Sequence, residues 1–140
     1  VYCELICDGI HIHPAVVRAT FRLMGRERMV LISDTMRAAG MTDGKYDLGG
    51  QEVTVKGPLA TLADGTIAGS VTDLMACMKT AVSFGIPLAD AVRSAAVSPA
   101  QAIGIFDRVG SLDSGKRANV VVLDKELDVK AVFFKGAQVV

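Results

Sequence analysis

Four consecutive apolar residues, Met29-Val30-Leu31-Ile32, run directly into Ser33-Asp34. An unbroken apolar run of this length marks a strand covered on both faces, as in the parallel sheets of α/β proteins. Upstream, residues 3–7 read as a second short buried strand that ends at the Asp8-Gly9 turn. Between the two stands Pro14, suited to a first helical turn. Val16, Val17, Thr20, Phe21 and Met24 follow at helical spacing, and Gly25 sits where a C-terminal cap belongs. Strand, helix and strand in this order predict a βαβ unit with parallel strands.

After Asp34 the pattern changes. Residues from about 40 to 69 are rich in glycine and short β segments (46–48, 52–55 and 60–62), with hairpin turns at Gly49-Gly50 and Asp64-Gly65. Ser70-Val71-Thr72-Asp73 then predicts a helix capped by Ser70, with Asp73 completing a capping box. Leu74, Met75, Met78, Ala81 and Val82 form its apolar face, and Gly85 ends it. Pro87 opens a further helix, and Ser98-Pro99 predicts the cap of a separate short one over 100–103, closed by Gly104. From Gly110 the sequence is β again: 118–123, 129–134, a Lys135-Gly136 turn and 138–140. The expected organisation is an α/β layer over 1–109 carrying a β-ribbon excursion, and a small β domain over 110–140.

Composition narrows the function classes. With 51% hydrophobic residues and equal numbers of basic and acidic side chains (15 of each), the chain is neither disordered nor equipped with a basic arm for nucleic acid or membrane. No apolar run is long enough for a transmembrane helix. Cys3, Cys7 and Cys77 have no CxxC spacing and read as buried free thiols of a reducing cytoplasm. A strand that starts at Val1 without a lead-in suggests a piece of a longer protein.

Asp34 is the strongest candidate for chemistry. It follows a wholly apolar strand, and reacting groups in parallel α/β folds gather beyond the carboxyl ends of strands. The competing reading is a helix N-cap before Met36-Arg37-Ala38-Ala39. His11 and His13, the two histidines of the chain, could share a metal ion if extended, or serve as strand-end and helix-start groups. The backbone N–H groups of Thr66-Ile67-Ala68-Gly69-Ser70 could meet an anion or a sugar hydroxyl, or simply cap a helix. Lys116-Arg117 reads as a solvated turn, and Met75 and Met78 as core. There is no GxSxG elbow, GxGxxG loop or P-loop.

Several segments carry a resemblance: Leu5 to His11 with its Asp8-Gly9-Ile10-His11, Leu31-Ile32-Ser33-Asp34-Thr35-Met36, Leu62 to Ser70, Ser98 to Gly104, and Gly115 to Asp124. In this order the chain resembles the C-terminal part of the N-acetylglucosamine-6-phosphate deacetylases of the amidohydrolase superfamily. The last segment is common to many amidohydrolases; the first three discriminate more. The resemblance implies the end of a (β/α)₈ barrel, with 4–7 and 29–33 as its last two strands, plus strands of a small β-sandwich domain. It implies hydrolysis of the acetamide of N-acetylglucosamine 6-phosphate by a cytoplasmic homodimer, with a divalent metal, zinc or similar. In that scheme Asp34 is the catalytic aspartate, His11 contacts substrate, and Ile67, Ala68 and Gly69 line the sugar pocket. The metal ligands and most phosphate contacts lie upstream of Val1, so no residue of this chain is assigned to metal and the chain alone is expected to be inactive. The alternatives are an amidohydrolase acting on a cyclic amide or nucleobase, and a non-catalytic module reusing the fold.

Overall fold

The apolar run behaves as its composition demands. In the computed structural model, which describes residues 1–140, β1 (Cys3–Ile6) and β2 (Met29–Ile32) pair in parallel, with Cys3 opposite Met29 and Ile6 opposite Ile32. They are joined by α1 (Pro14–Met24), which packs Val17 and Phe21 inward. Met29, Val30 and Leu31 are all buried; a fully buried aliphatic side chain of this size stabilises a fold by about 1.5–3 kcal/mol. Gly25 is the C-cap of α1 at φ +71, and its N–H donates to Phe21 O.

Two further helices, α2 (Leu74–Ser83) and α3 (Leu88–Ala102), complete this layer. Leu5, Cys7, Val17, Phe21, Met29, Leu31, Cys77, Met78, Ala81, Ile86 and Ala91 form one buried cluster. All three cysteines are free, with Cys7 and Cys77 buried. Burial pushes the Cys7 thiol up to about 12, and the neighbouring Cys77 and Asp8 add to it. Cys77 is likewise pushed up by burial, to about 11. Both therefore stay protonated and unreactive.

The excursion is a ribbon with its own small core. Its strands β3 (Gly44–Leu48), β4 (Gln51–Lys56) and β5 (Leu59–Thr61) form an antiparallel sheet in chain order. Gly49 and Gly50 both have positive φ (+62 and +86), the requirement of a two-residue I′ hairpin turn. Met36, Ala38, Val53, Val55 and Ala60 are buried together beneath the ribbon. A third sheet, β6 (Val120–Leu123), β7 (Val129–Phe134) and β8 (Ala137–Gln138), is antiparallel and leaves Val121, Val122, Val129 and Phe134 exposed. An apolar groove of about 670 Å³ runs between α2, α3 and β6, lined by Leu74, Met78, Val92, Leu112 and Val121 among others.

The structure corrects two helix boundaries. Asp73, not Ser70, caps α2: its Oδ1 accepts from Ala76 N at 2.7 Å. Ser70 is buried three residues earlier and belongs to a strand-like bridge with Thr35. Nor does Ser98-Pro99 begin a new helix, because α3 continues through Pro99 to Ala102. The small buried residues Ala91, Ser94 and Ser98 let α3 lie against β2, and that packing outweighs the backbone bond which proline removes. Gly110 closes over the end of the same helix at φ +92. A Cβ there would stand 2.7 Å from the Ala100 Cβ and 3.0 Å from Ala96 O. No helix is long and apolar enough to cross a membrane.

Candidate functional site

The buried strand β2 delivers the chain to Asp34, which leaves it at φ +50. Left-handed backbone is rare outside glycine, and Asp and Asn are the side chains that tolerate it best. A set of hydrogen bonds to the returning chain holds this conformation. Ser70 N donates to Asp34 O (3.0 Å), Met36 N donates to Ser70 O (2.8 Å), and Thr35 Oγ1 donates to Thr72 O (2.6 Å). The clasp closes the base of the ribbon and turns Asp34 outward, where it is exposed. The residues after it form a turn rather than a helix, so Asp34 caps nothing.

At the end of β1, Asp8 and His11 form a tight turn. Asp8 Oδ1 accepts from the N–H groups of Ile10 and His11, each at 3.0 Å, and Oδ2 lies 2.7 Å from His11 Nδ1. Burial alone would raise the Asp8 carboxyl. The His11 and Ile10 N–H groups, together with the His11 ring, outweigh that and hold it below the usual carboxylate range. On its far side the ring reaches across the fold, with Nε2 3.2 Å from Ala68 O.

Residues 67–70 are therefore common ground: Ala68 meets His11, and Ser70 meets Asp34. Ala68 N donates to Ala60 O at 2.9 Å, and Thr61 bridges to Ile67. This extended geometry leaves the N–H groups of Ile67 and Gly69 without partners in the chain. Gly69 also has a packing reason to lack a side chain, because a Cβ would meet the Met36 Cβ at 3.2 Å and Asp34 O at 3.4 Å. The segment is not a helix cap, since α2 starts only at Leu74.

His13 lies apart from this group. It is the N-cap of α1, with Nδ1 accepting from Ala15 N at 3.2 Å. With His11 held by Asp8 and Ala68, the pair does not converge on a shared ion, and no three His, Cys, Asp or Glu side chains gather into a metal site. Lys116 is a buried cation rather than a solvated one: its side chain is 10% exposed, with Nζ 3.4 Å from the Phe106 ring centroid and 3.4 Å from Asp113 Oδ2. Asp8 is the residue that sequence reasoning passed over, having read Asp8-Gly9 as a turn alone. The signal was present in the spacing: an Asp whose carboxylate closes on the N–H groups two and three residues ahead also meets a histidine at that third place.

A model of the amidohydrolase family matches residues 1–139. The chain belongs to the amidohydrolase family. Among curated relatives of this amidohydrolase chain, an N-acetylgalactosamine-6-phosphate deacetylase of Escherichia coli O157:H7 is 41% identical over 96% of the chain and 36% of its own length. An N-acetylglucosamine-6-phosphate deacetylase of Bacillus subtilis is 39% identical over 95% of the chain and 34% of its own length. A solved structure of the Mycobacterium smegmatis N-acetyl-D-glucosamine-6-phosphate deacetylase, a mutant in complex with N-acetyl-D-glucosamine-6-phosphate, is 41% identical with a TM-score of 0.94. It covers 100% of this chain and 38% of the mycobacterial one. The chain thus spans about a third of the length of these relatives.

Proposed function

We propose that this chain is the C-terminal part of a deacetylase that hydrolyses the acetamide of N-acetylglucosamine 6-phosphate, giving glucosamine 6-phosphate and acetate. His11 and the backbone of Asp34 both meet the extended segment 67–70, on which the Ile67 and Gly69 N–H groups have no partner in the chain, and this single arrangement carries the reading. Asp34 serves as the proton shuttle. As water adds to the acetamide carbon, the carboxylate takes its proton. As the C–N bond breaks, Asp34 returns that proton to the departing amine nitrogen, and the acyl group leaves as acetate. His11 and the backbone of Ile67, Ala68 and Gly69 hold the sugar. The unpartnered amides suit hydroxyl or phosphate oxygens, and the exposed Ile67 side chain suits the ring face.

In this proposal β1 and β2 are the last two strands of a (β/α)₈ barrel, and β6–β8 belong to a small β-sandwich domain. The match to the mycobacterial structure along the whole chain supports that assignment. A divalent ion, zinc or similar, would supply Lewis-acid chemistry to the whole enzyme. The residues of this chain do not fit such a site, so we place its ligands, and a partner subunit's share of the phosphate contacts, outside these 140 residues. The free thiols Cys3, Cys7 and Cys77 support a cytoplasmic location.

In the complete protein, Asp34→Asn should lower kcat by about 10²–10⁴ and leave the fold intact, because Asn accepts left-handed backbone as readily. Survival of activity within a few-fold would remove the shuttle role. The 140-residue chain alone, supplied with zinc, should show no turnover, and measurable turnover would refute its assignment as an incomplete enzyme. The 41% identity to an N-acetylgalactosamine-6-phosphate deacetylase favours a second reading that differs only in the C4 epimer of the sugar. Comparing kcat/KM for the two epimers decides between them.

A further inference from the structure

A proton shuttle needs a carboxylate of fixed direction, yet Asp34 is exposed and no hydrogen bond of the chain reaches its carboxylate. The direction is therefore set by the backbone, which stands at φ +50, a conformation that persists only where the surroundings enforce it. The buried strand β2 holds it from one side. From the other, three hydrogen bonds join residues 34–36 to residues 70–72: Ser70 N to Asp34 O (3.0 Å), Met36 N to Ser70 O (2.8 Å) and Thr35 Oγ1 to Thr72 O (2.6 Å). The first two are made by backbone groups. The third is the shortest, and it alone depends on a side chain. Its acceptor is well anchored: Thr72 N donates to Oγ of the buried Ser70 at 3.1 Å. The next residue, Asp73, caps α2, whose Cys77, Met78 and Ala81 lie in the larger core. The Thr35 hydroxyl thus ties the turn after Asp34 to the start of a packed helix.

We propose that Thr35 is a positioning residue for Asp34: its hydroxyl bond to Thr72 O holds the left-handed backbone, and with it the aim of the carboxylate. The kinetic part of this proposal rests on the deacetylase reading; the backbone geometry does not. The bond is exposed, so water can take the place of the hydroxyl at Thr72 O, and its loss changes stability little. Water does not hold residue 35 at a fixed distance from residue 72. Without that tie Asp34 relaxes towards the ordinary negative-φ regions, which swings the carboxylate away from its working direction. Removing the hydroxyl therefore costs rate, and neither stability nor substrate affinity.

The test uses the complete protein and an N-acetylhexosamine 6-phosphate. Thr35→Val keeps the β-branched shape that suits extended backbone and deletes only the hydroxyl. It should lower kcat roughly ten- to hundredfold, with KM within about threefold and the melting temperature within about 3 °C of the wild type. Thr35→Ala, which also lacks the hydroxyl, should behave alike, whereas Thr35→Ser keeps the donor and should hold kcat within about threefold. In an Asp34→Asn background, Thr35→Val should leave the residual rate unmoved; a purely structural Thr35 would cost the same factor again. A crystal structure of the Thr35→Val protein should show Asp34 away from its left-handed backbone or its carboxylate in more than one direction. An Asp34 superimposable on that of the wild type overturns the proposal. So does a kcat loss that Thr35→Ser shares, a loss that recurs in the Asp34→Asn background, or failure of both hydroxyl-free variants to fold. If the wild-type protein cleaves neither epimer, the deacetylase reading falls, and the Asp34 geometry in the variant crystals alone then decides the role of Thr35.

Discussion

The layer of β1, α1, β2, α2 and α3 buries a cluster of 11 side chains, while the inserted ribbon β3–β5 buries 5. Their means of support differ accordingly. The layer is held by apolar packing around β2, whose Met29, Val30 and Leu31 are buried. The ribbon depends on its turns, its ladder and the clasp at Thr35 and Ser70. Asp34 stands where one passes into the other, so its backbone is anchored on the packed side and its direction is set from the ribbon side. A reacting group on such a seam gets rigidity from the first region and adjustability from the second.

The largest test of this contrast is a pair of truncations. Leu31→Ala should cost about 2–5 kcal/mol, because Leu31 lies wholly inside the larger cluster and the layer has no spare side chain to fill the space. Val53→Ala, equally buried but in the ribbon, should cost about 1–2 kcal/mol. It should also act locally, raising amide exchange in β3–β5 while leaving α1 and β2 protected. Chemical denaturation with hydrogen exchange reads both. Equal exchange throughout the chain after Val53→Ala would mean that the two regions unfold as one.

A smaller effect on stability, though not on activity, is expected at the seam. Gly69→Ala adds a methyl 3.2 Å from the Met36 Cβ and 3.4 Å from Asp34 O, so the clasp must open by a few tenths of an ångström. The stability loss should be about 1 kcal/mol. A displaced catalytic group costs more, since misplacement by about 1 Å can lower rates roughly a hundredfold. The expected result is a drop in kcat/KM out of proportion to the change in melting temperature. A proportionate drop would place the methyl's effect in the fold rather than at Asp34.

Strands and turns were legible where the cause was local. The apolar run 29–32, the Gly49-Gly50 hairpin and the Pro14 helix start each follow from side-chain chemistry within a few residues. The two misread helix boundaries had distant causes. Ser70 is drawn away from capping by Thr35 and Asp34, more than thirty positions earlier, and Pro99 stays helical because α3 is pressed onto β2. The site divides in the same way. Asp34 was conspicuous at the end of its strand, and the Asp8–His11 pair lay in a three-residue spacing, whereas the reach of His11 to Ala68, 57 positions on, is something no local pattern places.

Acid should separate the two regions through a motif they share. Asp8 and Asp64 each accept from the N–H two residues ahead, at Ile10 and Thr66. Both carboxyls lie below their usual value: hydrogen bonds overcome burial at Asp8, and the Thr66 N–H acts first at the exposed Asp64. A folded-state value below the unfolded one, near 3.9, means that each carboxylate stabilises its turn at every pH above that range. The contribution is lost as the pH falls through the folded value. The consequences differ because water can replace the bond at Asp64 but not at the buried Asp8. Titrating downward from pH 6, the Ile10 and His11 amides should lose exchange protection sharply below the ordinary carboxylate range, and the Thr66 amide only slightly. Asp8→Asn should flatten the first response and leave the second alone. Matching losses at both turns would show that burial at the end of β1 adds nothing to what an exposed ribbon turn already has.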